Sequence, residues 1–491
     1  MPGPAPIFVI VLSAGAGTRM KSKTNKILHP IGGLSMVGHA LAAARGLDAD
    51  QVVAVIGHDR DPVGAHLSAL DPGVLLAEQL EQNGTGHAVQ VGLDAITDEL
   101  TGTVVVTYGD VPLLQAATLR ALVAEHRTHG RAVSVLTAEV PDPTGYGRIV
   151  RDAGGQVERI VEQKDATPEQ LSIAEVNSGI FAFDAAFLAD AIGRVGTDNA
   201  QGEIYLTDVV AIARGDGRDV GAYVIDDIWQ TEGANDRAQL ARLGAELNRR
   251  TLDHWMRAGV TVVDPATTWI DVTATLAPDV TVLPGVQLHG TTSIAEGARI
   301  GPDTTLTDVE VGAGATVIRT HGSESVIGRD ASVGPFAYLR PGTRLGVAGK
   351  IGTFVETKKA EIGDGAKVPH LSYVGDAVIG ESSNIGAGTI FANYDGVNKL
   401  STVVGAHCRT SSHNVFVAPV SIGDGAFTGA GTTVREDVPP GSLAVSGGRQ
   451  RNIEGWVAAK RPGSAADEAA RRSVAPEQDN QKSGKPQEGK S

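Results

Sequence analysis

The start of the chain carries residues that can bind phosphate. The segment "VLSAGAGTRM" (11–20) follows an apolar run, and its glycines allow backbone N–H groups to approach an anion closely. Arg19 and Lys26 supply positive charge. The segment is neither a GxxxxGK(S/T) phosphate loop nor a GxGxxG dinucleotide loop, because Thr-Arg-Met follows Gly17. These residues favour a nucleoside triphosphate, and the alternative is a plain strand–turn–helix with a solvated arginine.

Three other side chains can do chemistry by type. Asp110 ends the run "TVVVTYGD", where a carboxylate can bind Mg²⁺ beside phosphate oxygens or can cap the following helix. His370, in "KVPHLSYVGD", can act as a general base near neutral pH, although a lone histidine is more often structural. Cys408 is the sole cysteine, which excludes an internal disulfide and fits a reducing cytoplasm. We interpret Cys408 as a packing residue rather than a nucleophile.

The elements that position the first residues alternate along the chain up to about residue 230. The runs "IFVIVL", "QVVAVIG", "TVVVTYGD" and "AVSVLTAEV" are short and rich in β-branched residues, as in parallel strands buried on both faces. Alanine- and leucine-rich stretches between them predict a doubly wound α/β sheet, whose ligands bind beyond the carboxyl ends of the strands. Residues 235–259 then carry Leu240, Leu243 and Leu247 at helical spacing, which predicts a connecting helix that Gly259 stops.

A six-residue period begins after this helix and surrounds His370. Apolar residues recur every six positions from Ile270 to Leu306, and the period resumes after phase shifts as far as Val434. Such hexapeptide repeats predict a parallel β-helix in which each apolar residue points inward. Where the phase breaks, at "THGSES" and "NYDGVNKL", we expect loops that project from the coil.

Composition and charge narrow the classes of partner. The 491-residue chain has a formal net charge of −15, which argues against broad binding of nucleic acids or anionic membranes. No apolar run reaches the roughly 18 residues that a membrane-spanning helix needs. Residues 463–491 carry almost no large apolar side chain, which predicts disorder. We therefore expect a cytoplasmic protein that acts on small molecules.

The motifs also carry a family resemblance. "LSAGAGTRM", "NKIL", "NGTGHA", "YGD", "GYGRIV", "VEQKDAT" and "EVNSGI" occur in this order, and together they resemble the sugar-1-phosphate nucleotidyltransferases. Joined to a hexapeptide β-helix, they resemble the bacterial bifunctional N-acetylglucosamine-1-phosphate uridylyltransferases/glucosamine-1-phosphate acetyltransferases over residues 7–456. The resemblance implies a Rossmann-like nucleotidyltransferase domain (1–238) and a left-handed β-helix (260–458), which the predicted helix joins as a linker (239–259) and which the tail predicted to be disordered follows (459–491). It also implies Mg²⁺, a homotrimer and a product, UDP-N-acetylglucosamine, used for peptidoglycan precursors.

For the first reaction, the resemblance implies that the sugar 1-phosphate attacks the α-phosphorus of UTP. Mg²⁺ would be held by Asp110 and Asn235, with Asp236 as the alternative to Asn235. Gln79 would select the base, and Gln82 competes with it for this role. Ser13 stands where the family more often has alanine. The positions implied for UTP or the amino-sugar are Leu12, Ser13, Ala14, Gly15, Arg19, Lys26, Gln79, Gly84, Thr85, Tyr108, Gly109, Asp110, Gly147, Glu162, Asn177 and Asn235.

For the second reaction, the resemblance makes His370 the base that takes a proton from the amine of glucosamine 1-phosphate. An arginine that contacts coenzyme A in some members is replaced by Gly447, and Arg449 or Arg451 can substitute for it. In the family these sites form between neighbouring subunits. The implied glucosamine-phosphate positions are Arg340, Lys358, Tyr373 and Asn384, and the implied acetyl-CoA positions are Ala387, Asn393, Tyr394, Ser412 and Ala430.

Two alternatives stay open at this point. One is a single-activity sugar-1-phosphate nucleotidyltransferase whose β-helix only regulates, as in glucose-1-phosphate adenylyltransferases. The segments "VPHLSYVGD", "NYDG" and "LRPGT" argue against it. The other is a non-catalytic scaffold that keeps the fold, as in some translation-factor subunits. Such a scaffold has no need of Arg19, Lys26, Asp110 and His370 together.

Overall fold

The computed structural model describes residues 5–448 and 450–474. The first region is built on a mixed sheet in the order β11-β7-β10-β6-β1-β4-β5, with β8 attached to β10 and β9 attached to β8. Its strands are β1 (Ile7–Leu12), β2 (Pro30–Ile31), β3 (Leu34–Ser35), β4 (Gln51–Ile56), β5 (Leu75–Glu78), β6 (Thr103–Tyr108), β7 (Val133–Glu139), β8 (Arg148–Arg151), β9 (Val157–Val161), β10 (Glu175–Asp184) and β11 (Val220–Ile225), of which β2 and β3 form a separate hairpin.

Helices cover both faces of this sheet, as the doubly wound prediction requires. Along β1, Phe8 and Ile10 face one core while Val9 and Val11 face the other, so the strand is apolar throughout. The helices are α1 (Met36–Arg45), α2 (Arg60–Leu70), α3 (Thr85–Asp94), α4 (Ala116–Thr128), α5 (Pro168–Leu171), α6 (Ala185–Ile192) and α7 (Asp208–Gly215).

Along the seven-strand path from β11 to β5, β10 runs against the other strands. The segment "EVNSGIFAFD" forms β10, which pairs antiparallel with both β6 and β7. Gly179 in this strand has φ +80°, and the register shifts between Asn177 and Phe181. The irregularity begins directly after Asn177, which still pairs with Thr137 of β7 and lines a cavity described below.

The helix α8 (Arg237–Arg257) connects the two regions. Leu243 packs in a cluster with Met20 and Met36 of the first region, whereas Leu252, further along the helix, joins the core of the second. The predicted connecting helix is therefore present, and it ends shortly before Gly259. Among the described residues, no helix combines the length and the apolar character needed to cross a membrane.

The second region is a coil of short parallel strands. A residue pairs with its equivalent three hexapeptides later, as Ile270 does with Leu288 and Val282 with Ile300. The strands are β12 (Thr261–Val262), β13 (Trp269–Ile270), β14 (Thr275–Leu276), β15 (Thr281–Val282), β16 (Gln287–His289), β17 (Ser293–Ile294), β18 (Arg299–Ile300), β19 (Thr305–Val311), β20 (Thr316–Val317), β21 (Thr320–Ile327), β22 (Ser332–Val333), β23 (Ala337–Leu339), β24 (Arg344–Leu345), β25 (Lys350–Thr353), β26 (Glu356–Ile362), β27 (Lys367–His370), β28 (Tyr373–Ile379), β29 (Ile390–Ala392), β30 (Thr402–Val404), β31 (Val415–Val417), β32 (Val420–Ile422), β33 (Phe427–Thr428), β34 (Thr433–Val434) and β35 (Leu443–Ala444).

The inward direction of the repeated apolar residues is confirmed. From Ile270 to Val434 they are buried in one continuous core. The segment "NYDGVNKL" is an exposed loop, as predicted, but the prediction of a loop at "THGSES" is wrong. Gly322 of that segment occupies the inward position between Leu306 and Leu339. The pairing from Leu306 to Gly322 is two residues shorter than that from Ile270 to Leu288, so the six-residue phase shifts while β21 continues the coil, and glycine adds no apolar side chain to mark the inward position.

The prediction of disorder differs from the structure over part of the tail. Residues up to 474 include α9 (Trp456–Lys460) and α10 (Ala465–Val474), and residues 475–491 lie outside the described part. The helix α10 is rich in alanine, the best helix former. The buried Asp467 accepts from the backbone N–H of Gly463 (2.9 Å) and pairs with Arg471 (2.9 Å). Local helix propensity and these contacts order the segment without a large apolar face.

Candidate active sites

A cavity of about 340 Å³ opens at the carboxyl ends of β1 and β6. The residues after β1 form one wall, and the segment leading into α3 forms another. Ligands of open α/β sheets bind at this edge, as the strand pattern predicted. The predicted nucleotide positions that line it are Leu12, Ser13, Ala14, Gly15, Lys26, Gln79, Gly84, Thr85, Tyr108 and Asp110, and the competing Gln82 lines it too.

The two glycines of the first loop have different roles. No atom lies within 4 Å of the position that a Cβ on Gly15 would occupy, so this side of the loop is open. Gly17 has φ +62°, and a Cβ there would lie 2.4 Å from Cβ of Lys26. Gly17 therefore lets the loop pack closely on Lys26, whereas Gly15 leaves room for a ligand beside the backbone.

Lys26 joins the two predicted metal ligands. Its Nζ lies 2.5 Å from Oδ2 of Asp110 and donates to Oδ1 of Asn235 at 3.3 Å. The side chains of Lys26 and Asp110 are only 13% and 19% exposed. The backbone N–H of Ala234 donates to the carbonyl of Asp110 (3.2 Å), which ties the loop before α8 to the end of β6. The Asp110 carboxylate and the Asn235 amide oxygen thus both contact the Lys26 ammonium, and both are ligand types that suit Mg²⁺.

The geometry separates Asn235 from its neighbour. Asp236 is the N-cap of α8, and its Oδ1 accepts from the backbone N–H of Gln239 at 2.8 Å. Asn235 directs its side-chain oxygen to Lys26 instead. Asp110 caps no helix, because α4 begins at Ala116 after Gln115. The arrangement therefore favours Asp110 and Asn235 over Asp236 as the oxygen pair.

Asn25, which the sequence analysis did not single out, positions Lys26. Its Oδ1 accepts from the backbone N–H of Ile27 (3.2 Å) and its Nδ2 donates to the carbonyl of His58 (3.2 Å). Asn25 is buried at 3% exposure, so it anchors the short turn Lys26–Leu28 to the segment after β4. The capping preference of asparagine was the available signal in the sequence.

A second cavity adjoins the first and shares Thr85, Tyr108 and Glu203 with it. It contains Tyr108, Gly147, Glu162 and Asn177, the four positions that the resemblance implies for the amino-sugar. A Cβ on Gly147 would lie 3.3 Å from Oε1 of Glu162, so the absence of a side chain keeps this carboxyl accessible. Burial raises the pKa of Glu162, although the Thr207 hydroxyl, which donates to it at 3.4 Å, opposes the shift.

Arg19 and Gly109, which were also predicted for the first site, do not line either cavity. Arg19 is exposed, in the turn Thr18–Met20. Gly109 is buried behind Ser13, and a Cβ on it would lie 2.5 Å from the Ser13 hydroxyl oxygen.

The two glutamines that compete for the base both line the nucleotide cavity. Gln82 donates to the carbonyl of Ala14 (2.8 Å) and the buried Gln79 donates to that of Gly84 (3.2 Å). Both glutamines therefore remain available at the nucleotide cavity.

On the coil, four predicted positions lie along one corner of successive turns. The carbonyl of His370 accepts from Gly388 N–H (3.3 Å), that of Ala387 from His413 N–H (2.7 Å), and that of Ser412 from Gly431 N–H (2.9 Å). The residue that follows each predicted residue has a positive φ and forms the corner of its turn. The column of contacting turns consists of His370, Ala387, Ser412 and Ala430.

The predicted sugar-phosphate residues cluster on an adjoining face. Lys358 Nζ lies 3.9 Å from Oδ2 of Asp376, and Asn393 Nδ2 donates to the same oxygen at 2.5 Å. The Tyr373 hydroxyl accepts from Asn393 at 3.4 Å. The Arg340 guanidinium pairs with Glu356 (3.0 Å), which raises its pKa. Asp376 is a member of this cluster that the sequence analysis missed.

Other residues predicted for the second site are more dispersed. Asn384 lies between Lys367 and Arg409 in the stack of turns. Tyr394 is 60% exposed in the projecting loop. Gly447 and Arg451 are exposed, and Arg449 lies outside the described residues. Cys408 is fully buried, and its thiol contacts the Gly423 carbonyl at 3.1 Å, which agrees with a packing role.

Comparison with known proteins agrees with both regions. The model of the MobA-like NTP transferase domain matches residues 9–169. The chain is 62% identical to the "Bifunctional protein GlmU" of Kineococcus radiotolerans over 467 residues, which is 95% of each chain. It is 61% identical to the protein of the same name from Rhodococcus opacus over 474 residues, 95% of each chain. The Streptomyces avermitilis protein of that name is 61% identical over 466 residues, covering 95% of this chain and 97% of its own.

These similarities span both the sheet domain and the coil, and they carry a bifunctional name. They do not favour the alternative of a single-activity nucleotidyltransferase with a regulatory β-helix. The resemblance inferred from the motifs and the hexapeptide period is confirmed, and with it the prediction of a bifunctional transferase. The chain belongs to the family of bifunctional GlmU proteins.

Proposed function

We propose that the coil acetylates glucosamine 1-phosphate with acetyl-CoA and that the sheet domain joins the product to UTP. The second step releases pyrophosphate and gives UDP-N-acetylglucosamine for peptidoglycan precursors. The observation that carries the proposal is the contact of Lys26 with both Asp110 and Asn235 at the edge of the nucleotide cavity. The adjoining cavity with Glu162 and Asn177 supplies space for the amino-sugar.

In the uridylyl transfer, two anions must approach each other. A phosphate oxygen of the sugar 1-phosphate attacks the α-phosphorus of UTP, and the bond to pyrophosphate breaks. Lys26 neutralises charge on the triphosphate, and the wall from Leu12 to Gly15 orients it. Asp110 and Asn235 are the residues that would hold Mg²⁺, which when bound would neutralise phosphate charge. Arg19 adds long-range attraction from its exposed position.

In the acetyl transfer, His370 accepts a proton from the ammonium group of glucosamine 1-phosphate, which frees the lone pair of the nitrogen. The amine nitrogen then attacks the thioester carbonyl, a C–N bond forms, and the C–S bond to coenzyme A breaks. Arg340 and Lys358 supply charge for the sugar phosphate. The corner column from Ala387 to Ala430 offers an extended edge for acetyl-CoA, beside His370.

We further propose a homotrimer, with the acetyl-transfer sites between subunits. Three corner residues next to the His370 column carry large exposed apolar side chains: Phe336 (52%), Phe354 (58%) and Leu371 (59%). Each has a positive φ, an unusual backbone state for a bulky residue, and the two phenyl rings stack at 5.3 Å. A second copy of the chain would bury this apolar ladder and would complete the open His370 site.

A coupled assay tests the two reactions together. The protein receives glucosamine 1-phosphate, acetyl-CoA, UTP and Mg²⁺, and each component is omitted in turn. We expect UDP-N-acetylglucosamine only from the complete mixture, with free thiol from coenzyme A still released when UTP is omitted. Thiol release that does not depend on glucosamine 1-phosphate would contradict the acetyl transfer. Absence of UTP binding would instead favour the scaffold alternative. We propose the cytoplasm as the location, because UTP and acetyl-CoA are intracellular metabolites.

A further inference from the structure

Asp376 lies at the centre of the acetyl-transfer cluster, although none of the predicted roles includes it. Its Oδ2 atom is 3.9 Å from the ammonium of Lys358 and 2.5 Å from the amide nitrogen of Asn393. The same amide nitrogen reaches the hydroxyl of Tyr373 at 3.4 Å. One carboxylate oxygen therefore connects a residue proposed for the sugar phosphate with one proposed for acetyl-CoA.

The backbone around Asp376 is built for this contact. Asp376 has φ +46°, a conformation that costs a non-glycine residue energy. A Cβ on the preceding Gly375 would lie 2.3 Å from the Tyr373 hydroxyl and 2.7 Å from the Asn393 amide nitrogen. Because glycine has no side chain, the Tyr373 hydroxyl and the Asn393 amide nitrogen can both lie against the backbone at position 375. The sequence "YVGD" thus places Tyr373 and Asp376 on either side of a position that must lack a side chain.

Charge at the cluster agrees with a role for the carboxylate. The side chains of Lys358 and Asp376 are only 15% and 16% exposed, so their attraction is less screened than at the surface. Lys399 of the projecting loop lies close enough to Lys358 that this neighbour lowers its pKa. Asp376 therefore offsets repulsion between two ammonium groups and holds Lys358 in a defined position.

We propose that Asp376 is a positioning residue of the acetyl-transfer site, which fixes Lys358 and Asn393 relative to each other. This inference rests on the proposed acetyl transfer. Because Asn393 donates its Nδ2 to Asp376, its side-chain oxygen is directed away from the carboxylate as an acceptor. That oxygen suits an N–H of acetyl-CoA or of the amino-sugar, and Lys358 suits the phosphate. Asp376 thereby sets the spacing between the two substrates.

Two substitutions separate the two contacts of Asp376. Asp376→Asn removes the charge that holds Lys358 but keeps an oxygen that can accept from Asn393. We expect the KM for glucosamine 1-phosphate to rise about tenfold, with the KM for acetyl-CoA nearly unchanged. Asp376→Ala removes both contacts, and we expect the KM for each substrate to rise about tenfold or more. The full-length protein is used, and initial rates are measured by thiol release.

Asp308 provides a matched control. It occupies the same fourth position of a seven-residue strand, β19, and has φ +55°, but its Oδ1 accepts from the backbone N–H of Thr291 (2.8 Å), a residue with no proposed role in acetyl transfer. Asp308→Asn should leave both KM values unchanged. Uridylyl transfer should stay intact in all three variants, which reports on the sheet domain, and an unchanged thermal unfolding transition reports on the folding of the coil.

Three outcomes would overturn the inference. The first is an Asp376→Ala variant whose two KM values both stay within about twofold of the unsubstituted protein. The second is an Asp308→Asn variant that shows the same losses. The third is identical kinetics for Asp376→Asn and Asp376→Ala, which would indicate a merely structural role. If the unsubstituted protein itself fails to acetylate glucosamine 1-phosphate, the proposed function fails, and that result is visible before any variant is compared.

Discussion

The nucleotide site and the acetyl-transfer site differ in how completely one chain encloses them. In the sheet domain, the predicted residues line two adjoining cavities, and the Lys26–Asp110 pair is largely shielded from solvent. On the coil, His370 is exposed on a corner, and an exposed apolar ladder runs beside it. A doubly wound sheet forms a crevice from its own loops, whereas a regular coil has flat faces. This contrast underlies our proposal that the first site is complete in one subunit and that the second needs a neighbour.

The largest expected effect separates the two sites chemically. Asp110→Ala removes the carboxylate proposed to hold Mg²⁺ and leaves Lys26 without its partner at 2.5 Å. We expect uridylyl transfer to fall by about a thousandfold or more, since such electrostatic contributions reach several kcal/mol. Acetyl transfer should continue at its full rate. Pyrophosphate release and thiol release, measured on the same sample, check both halves, and an unchanged Mg²⁺-dependent uridylyl rate would contradict the assignment.

The converse experiment tests the acetyl-transfer site on the coil. His370→Ala removes the proposed general base, and we expect acetyl transfer to fall by about a hundredfold to ten-thousandfold. Uridylyl transfer from supplied N-acetylglucosamine 1-phosphate should persist, because His370 lies on the coil rather than at either cavity of the sheet domain. His413, an exposed histidine two turns further along the same corner, is the control. Equal loss in His413→Ala would argue against a special role for His370.

The next test addresses the proposed need for a neighbouring subunit. Phe354→Glu puts a charge into the apolar ladder, where burial against a second copy would be strongly unfavourable. We expect the protein to sediment as a monomer and to lose acetyl transfer by about a hundredfold, while uridylyl transfer stays within about twofold. Sedimentation velocity and the two assays provide the measurements.

Val378 offers a control for that test, because it is 41% exposed on a strand rather than at a corner. Val378→Glu should keep both the assembly and the acetyl transfer. A monomeric Phe354→Glu protein that acetylates normally would show that one chain completes the second site, and the contrast between the two regions would disappear.

The positions most local in sequence were the most predictable. The residues after β1 and Asp110 after β6 could be placed because strand ends are visible as apolar runs, and parallel strands bring their carboxyl ends to one edge. The inward residues of the coil followed from a strict period. Family resemblance, rather than spacing, supplied the roles of Glu162 and Asn177, which come from different strands.

Features that depend on pairing between distant segments escaped prediction. The direction of β10 is decided by its partners β6 and β7, and its sequence carries no sign of direction. Gly322 hides an inward position because the period is read from apolar side chains. Asp376 contacts Asn393 because one coil turn stacks on the next. Where the repeat shifts phase, the sequence does not define which residues of successive turns stack on each other.

Two glycines of the loop after β1 test the nucleotide site through smaller effects, on the KM for UTP and on stability. Gly15→Ala adds a methyl group on the open side of the loop, so stability should hold while the KM for UTP rises about tenfold. Gly17→Ala meets Lys26 Cβ at 2.4 Å and a φ of +62°, and we expect it to lower the unfolding free energy by about 1–3 kcal/mol. Thermal unfolding and UTP kinetics of both variants are the measurements. Loss of stability in Gly15→Ala would contradict the proposed open approach for the nucleotide.

The smallest effect concerns pH, which acts in opposite directions on the two regions. In the sheet domain, burial lowers the pKa of His126 to about 4, with Arg127 and Arg131 adding to the shift and Asp184 opposing it. At the start of the coil, a hydrogen bond that His289 donates to the Asp271 carboxylate raises the pKa of His289. Between about pH 6.5 and about pH 4, His126 is protonated in the unfolded chain but neutral in the folded protein. Its contribution to folding stability is therefore complete only above about pH 6.5. Folding stability therefore falls as the pH drops from about 6.5 to about 4, by about 2–3 kcal/mol.

His126→Gln isolates this contribution, because the side chain stays polar beside the Ser134 hydroxyl (3.1 Å) but no longer titrates. Urea unfolding at about pH 7 and about pH 5 should show a smaller loss of stability in this variant than in the unsubstituted protein. His129→Gln, just beyond the end of the same helix but exposed, should follow the unsubstituted protein. His289 responds the other way: its raised pKa makes its contribution complete below pH 6.5 and lost as the pH rises through the higher folded value. Equal pH dependence in the His126→Gln and unsubstituted proteins would remove the buried histidine as the source of acid sensitivity in the sheet domain.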